Sequence, residues 1–233
     1  MVSSKLWYLM NMDVFKDLSR EDYAIIDRDS ASLSIRKRET LPFQGTAETY
    51  IYFLKRGTIK LVKHTAVGRS VALDVLKEGT LFGEVNGVLA GHGEDLTAEA
   101  LEDCFLCRMN KRNFDHLMTV VPCLSKRVTK IIGLRFKKIE NRLSELLYST
   151  VEERLARVLL YLASEFGVCE KDRTVIQVRL THNDLSELIA STRETVTLTV
   201  NSFKSKGLVD CVGKRFVILE GKKLKEISWP QQS

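Results

Sequence analysis

The stretch that most constrains this chain is Leu180–Val209, LTHNDLSELIASTRETVTLTVNSFKSKGLV. Thr181, with Asp184 three residues on, can cap a first helix that carries apolar Leu185, Leu188 and Ile189. Ala190 and Ser191 supply a small turn. A second helix opens at Ser191 or Thr192, and Ser191-x-x-Glu194 has the form of a capping box. Val196, Val200 and Phe203 recur at helical spacing, which buries one face. The other face offers Thr192, Arg193, Glu194, Thr197, Leu198 and Asn201. After Gly207, Val209–Val212 and Arg215–Leu219 flank Gly213-Lys214, a hairpin tip. Two short helices, a tight connection and a basic hairpin have the shape of a DNA reader. There the N-terminal end of the second helix enters the major groove and the hairpin lies beside the phosphates. On architecture alone, a helical hairpin inside an ordinary core is the competing reading.

The wording of the segment separates the two. Ile189-Ala-Ser-Thr-Arg193-Glu194-Thr195-Val196 closely resembles the recognition helix of the CRP/FNR family of bacterial transcription regulators. Tyr52–Leu61, YFLKRGTIKL, resembles the strand–glycine turn–strand unit of that family's sensor, and Glu78–Glu84, EGTLFGE, its second glycine turn. The resemblance spans nearly the whole chain. It implies an α+β protein in three parts. A double-stranded β-roll, a jelly roll like those that bind cyclic nucleotides, occupies 1–121. A long dimerisation helix follows at 122–149, and a winged helix-turn-helix at 150–233. It further implies a homodimer on an inverted-repeat operator, with RNA polymerase beside it, in the cytoplasm.

Several features of the residues agree without the resemblance. Short β-prone runs at Ser32–Arg36, Tyr50–Leu54, Thr58–His64, Ser70–Leu76, Leu96–Leu101 and Phe105–Met109, separated by glycine turns, predict a barrel or sandwich. Residues 1–31 read as helical, with Ser19 capping Arg20–Asp27. Pro122 opens a helix in which Ile132, Phe136, Ile139, Leu143 and Leu146 alternate in spacings of four and three. That pattern fits a two-helix seam or one face of a core helix. The flanking Lys130, Arg135, Lys137, Lys138 and Arg142 favour the exposed seam. Thr150-x-x-Glu153 caps the next helix, so Ser149–Thr150 is the expected hinge.

Net charge is +6, and Thr192–Lys225 holds eight basic residues against three acidic ones, which suits a polyanionic partner. No apolar run reaches the roughly 20 residues that cross a bilayer. Five cysteines without regular spacing fit a reduced compartment. Four scattered histidines, no nucleophile motif and no phosphate loop argue against an enzyme, including a metal-dependent one on the β-barrel.

In the resembling family, the residues at Arg193 and Glu194 face base edges. Arginine can fork onto guanine O6 and N7, and glutamate accepts from cytosine N4. Thr197 faces the same groove one turn on. At Leu198 the family commonly carries a second arginine; leucine instead either packs on a thymine methyl or turns inward. Lys204, Lys206, Lys214 and Arg215 would grip the backbone.

The sensor reads differently. The family's cyclic-nucleotide pocket uses a glycine and glutamate, here Gly83 and Glu84, then an Arg-Ser pair for the phosphate. Counting on, that pair is Glu94-Asp95, and no arginine lies in Gly83–Cys107. Two acids repel a phosphate. The family's hydroxyl pair on the dimer helix falls on Ile139-Glu140. No response to cyclic AMP is expected, and no cofactor is called for. An iron–sulfur sensor needs N-terminal cysteines, and none precedes Cys104. Cys104 and Cys107 sit on one predicted strand and point to opposite faces, so both read as core. A redox switch at Cys123, Cys169 or Cys211, or haem on His64, His92, His116 or His182, are the alternatives within the family, with His92 the best-placed ligand. The alternative of another class is a ligand-binding regulatory subunit that acts through protein partners.

Overall fold

The computed structural model describes residues 8–10, 12–42, 49–66, 68–83 and 96–229. It divides into two compact units, 1–66 with 74–138, and 67–73 with 139–233.

In the first unit, helix α1 (Arg20–Asp29) starts at a reciprocal Ser19–Asp22 capping box. One sheet has the order β1 (Ser30–Ile35), β8 (Cys104–Asn110), β3 (Tyr50–Arg56), β6 (Leu81–Gly83). The other has the order β2 (Thr40–Pro42), β7 (Leu96–Ala100), β4 (Ile59–His64), β5 (Ser70–Leu76). The strands alternate across both faces of the first sheet. Tyr52, Leu54, Cys104 and Leu106 join Ile59, Leu76, Ala98 and Ala100 in the layer shared by the two sheets. Ile51, Phe53, Cys107 and Met109 point the other way. They pack under Phe15, Ile26, helix α2 (Lys111–Val120) and the start of helix α3 (Pro122–Tyr148). This is the jelly roll with helices over one sheet. Lys60, on β4, is buried and pairs with Glu99 at 2.9 Å.

Gly57 shows why a turn needs its glycine. Its φ is +100°, and a Cβ there would lie 2.6 Å from Cys104 Sγ. Helix α2 is not among the elements expected above, although Asn110 caps it by accepting from Arg112 N. In the N-terminal stretch, residues 8–10 are helical as expected, a 3₁₀ turn follows at Asp13–Phe15 before α1, and Ser30 already begins a strand.

Helix α3 runs from Pro122 to Tyr148, and the boundary between the units falls inside it. Phe136, Ile139 and Leu143 are 58–69% exposed and Leu146 is 36% exposed. Ile132 differs from the other residues of the expected seam, because it packs partly on the first unit's core. The flanking charges are not simply solvated either. Arg135 donates to the Leu81 carbonyl, Lys138 pairs with Asp74, and Arg142 donates to the carbonyls of Leu73 and Leu188.

The second unit opens on helix α4 (Val151–Phe166), capped reciprocally by Thr150 and Glu153. Then come β9 (Gly167–Glu170), β10 (Arg173–Ile176), α5 (His182–Ile189), α6 (Arg193–Ser205), β11 (Val209–Val212), β12 (Arg215–Ile218) and α7 (Gly221–Ser228). The sheet order is β11-β12-β10-β9. Residues 170–173 are therefore the tip of a hairpin, and a helix follows the wing. Arg157 ties α4 to that last helix. It donates to the Ser228 carbonyl at 2.7 Å and lies 4.6 Å from the Trp229 ring.

Candidate nucleic-acid interface

The candidate interface is built on α5 and α6. Thr181 caps α5 in a reciprocal box with Asp184. Ala190 ends α5 in the left-handed conformation, φ 49° and ψ 56°, which turns the chain sharply into α6. The cap of α6 is Thr192, whose hydroxyl accepts from Thr195 N at 3.2 Å. The Ser191–Glu194 box expected above does not form. With two neighbouring hydroxyls on offer, Thr192 holds the extended cap geometry, φ −91° and ψ 154°.

Val196, Thr199, Val200 and Phe203 are buried, and this fixes which face of α6 is open. Arg193, Glu194 and Asn201 are exposed and Thr197 is half-buried. Leu198 is 71% exposed, so it does not turn inward onto the protein. Arg193 and Thr197 are one turn apart, as are Glu194 and Leu198, so the four form a patch at the N-terminal end of α6.

The wing tip is Gly213 and Lys214, with φ +57° and +68°. Two consecutive positive φ values are what a tight two-residue hairpin requires. Lys214 is exposed there, and Arg215 is half-buried with an Nε that has no hydrogen-bond partner among the described residues. Lys204, at the far end of α6, lies 3.6 Å from Asp210 in a partly exposed pair.

One residue of this region is missing from the expected interface. His182, the first residue of α5, places Nδ1 2.8 Å from Thr197 Oγ1. Its ring packs near Phe216 of the wing, with centroids 6.2 Å apart. Burial, then Lys204 and Arg193, hold this imidazole below its ordinary pKa. Its link to Thr197 crosses between two helices, which spacing along the chain does not reveal.

The sensor-pocket candidates are only partly in view. Glu84, His92, Glu94 and Asp95 lie outside the described residues. Gly83 has a structural reason to be glycine: its φ is +109°, and a Cβ would sit 2.5 Å from the Tyr50 carbonyl oxygen. Ile139 and Glu140 are exposed on α3. Cys104 and Cys107 are buried in different core layers. Burial pushes the Cys104 thiol up to about 11, so it is protonated at neutral pH. The rings of His64 and His182 are engaged with Thr97 and Thr197. No helix among the described residues is long and apolar enough to cross a membrane.

Comparison with known proteins agrees with this architecture along the chain. Residues 32–120 match the model of the cyclic nucleotide-binding domain, and residues 153–227 that of the Crp-like helix-turn-helix domain. A CRP-like cAMP-activated global transcriptional regulator of Mycobacterium tuberculosis is 21% identical, covering 93% of this chain and 96% of its own. The global nitrogen regulator of a Nostoc species is 26% identical, covering 79% and 83%. A CooA variant from Carboxydothermus hydrogenoformans shares the fold, with a TM-score of 0.76, 21% identity and coverage of 96% and 95%. These matches belong to regulators rather than enzymes. With both domain models in order and regulators aligned over nearly the full length, the chain belongs to the CRP/FNR family of DNA-binding transcription regulators.

Proposed function

We propose that this protein binds an inverted-repeat operator as a homodimer and does not respond to cyclic AMP. The observation that carries the DNA reading is the division of α6. Val196, Val200 and Phe203 anchor it, while Arg193, Glu194 and Leu198 stay on the open side with Lys214 at the wing tip. In this reading Arg193 and Glu194 meet base edges, Asn201 and Thr192 flank them, and Lys204, Lys214 and Arg215 grip phosphates.

The dimer is supported by the apolar stripe Phe136, Ile139, Leu143 and Leu146, open along α3 of a single chain. Independence from cyclic AMP is supported by sequence: two acids stand where a phosphate-binding pair would be needed. The parts are a sensor over 1–121, a dimerisation helix over 122–149 and a reader over 150–233. RNA polymerase is the partner at the promoter, in the cytoplasm.

Selection from a randomised duplex pool, with purified reduced protein and no effector, tests the core of this proposal. Enrichment of an inverted repeat is the expected result. Enrichment of a lone half-site would contradict the dimer, and no enrichment, with cell extract either absent or added, would contradict DNA reading. Calorimetry with micromolar cyclic AMP should show no heat of binding; a measurable isotherm would overturn the nucleotide-independence.

A further inference from the structure

We infer that the reading helix recognises thymine through methyl groups beyond Arg193 and Glu194: His182 withdraws the Thr197 hydroxyl from base recognition, leaving the Thr197 methyl and the Leu198 side chain as an apolar reading surface. The inference rests on the DNA-binding reading above.

The Thr197 hydroxyl has two partners inside the protein. Oγ1 lies 2.8 Å from the Arg193 carbonyl oxygen and 2.8 Å from His182 Nδ1. A hydroxyl carries one proton, and a carbonyl oxygen can only accept. The proton therefore goes to Arg193. Were it given to the imidazole, two oxygens 2.8 Å apart would face each other with no proton between them. His182 must then hold its hydrogen on Nδ1 and donate it to Thr197. Both the Nδ1–H neutral tautomer and the imidazolium have that hydrogen, so protonation leaves the bond in place.

Three elements hold His182 in position. The Thr181 cap fixes the start of α5, the Phe216 ring of β12 lies beside the imidazole, and Thr197 of α6 accepts from it. Two of the three hydrogen-bonding positions of the Thr197 hydroxyl are thus spent within the protein. What this half-exposed side chain has left to offer a base is chiefly its methyl group. Leu198 follows directly, 71% exposed, and has no donor or acceptor at all. In the major groove only thymine presents a methyl among the four ordinary bases. A large apolar side chain held in solvent on the open face of a reading helix gains by covering that methyl.

The test removes the methyl from the DNA, so protein folding is not in question. In the operator recovered by selection, each thymine is replaced in turn by deoxyuridine, and affinity of the full-length protein is read by fluorescence anisotropy. At one or two thymines per half-site, binding should weaken about fourfold, the effect of uncovering one methyl. In Leu198→Ala the loss at one of them should vanish. In His182→Phe, which keeps a ring on Phe216, the hydroxyl is freed, and preference at the Thr197 base pair should broaden toward bases with an amino group. An operator bound equally well whichever thymine is replaced overturns this inference and leaves DNA reading intact. A deoxyuridine loss that persists unchanged in Leu198→Ala overturns the role of Leu198. A pool that yields no operator overturns both readings.

Discussion

His182 bonds to a threonine 15 residues away, and its environment makes a prediction about pH. Burial, Lys204 and Arg193 all disfavour its charged form, so its folded pKa lies below the unfolded value of about 6.5. The unfolded chain then takes up more protons than the folded one as pH falls through that range. Stability of the second unit should be full above about pH 7 and decline through pH 6.5 until the folded pKa is passed. Thermal melts at pH 7.5 and 5.5 should show a smaller acid loss for His182→Gln than for the parent. Identical losses would remove His182 from the account. This residue also marks where reading the sequence stops. Glu194 was legible because helical spacing places it away from Val196 and Val200, and Arg193, seven residues before Val200, because of the wording of the segment. Whether Leu198 points outward was not, and the bond between His182 and Thr197 depends on how two helices cross.

At the level of elements, capping chemistry was the most legible signal. The boxes at Ser19, Thr150 and Thr181 are local, and each helix begins where its box predicts. At Ser191 and Thr192 the local signal was degenerate, and the structure caps α6 with Thr192. Strands β2 and β6 have three residues each and β9 is exposed throughout, so no alternation of period two could announce them. Helix α3 shows the other kind of ambiguity. Its four-three pattern suits a seam or a core face, and the structure buries one stretch of the helix and leaves the other open. Leu124 and Val128 are buried in the first unit, whereas Phe136, Ile139 and Leu143 lie open. If the open stretch is the dimer seam, Leu143→Arg should bury an unpaired charge at the partner and weaken dimerisation by about a hundredfold or more. Sedimentation should then find monomers at concentrations where the parent is dimeric. A variant that stays dimeric would move the interface elsewhere.

For the whole molecule, a homodimer presents every DNA contact twice, and salt dependence counts contacts. Each neutralised phosphate contributes about 0.9 to the slope of log affinity against log salt. Lys214 sits at the wing tip with a positive φ and an exposed side chain, outside the α6 patch proposed to read bases. Its replacement by alanine should therefore weaken binding equally on the selected operator and on scrambled duplex. In a dimer with both wings down, the slope should fall by about two, because two phosphates lose their cation at once. A fall of about one would mean that a single wing engages, as in a monomer or a dimer held on one half-site. A loss confined to the selected sequence would instead make Lys214 a base reader. Arg193→Ala is the counterpart. It should cost about 1–3 kcal/mol on the operator and little on scrambled duplex. Measured together, the two variants separate the contacts that place the protein on DNA from those that choose the sequence.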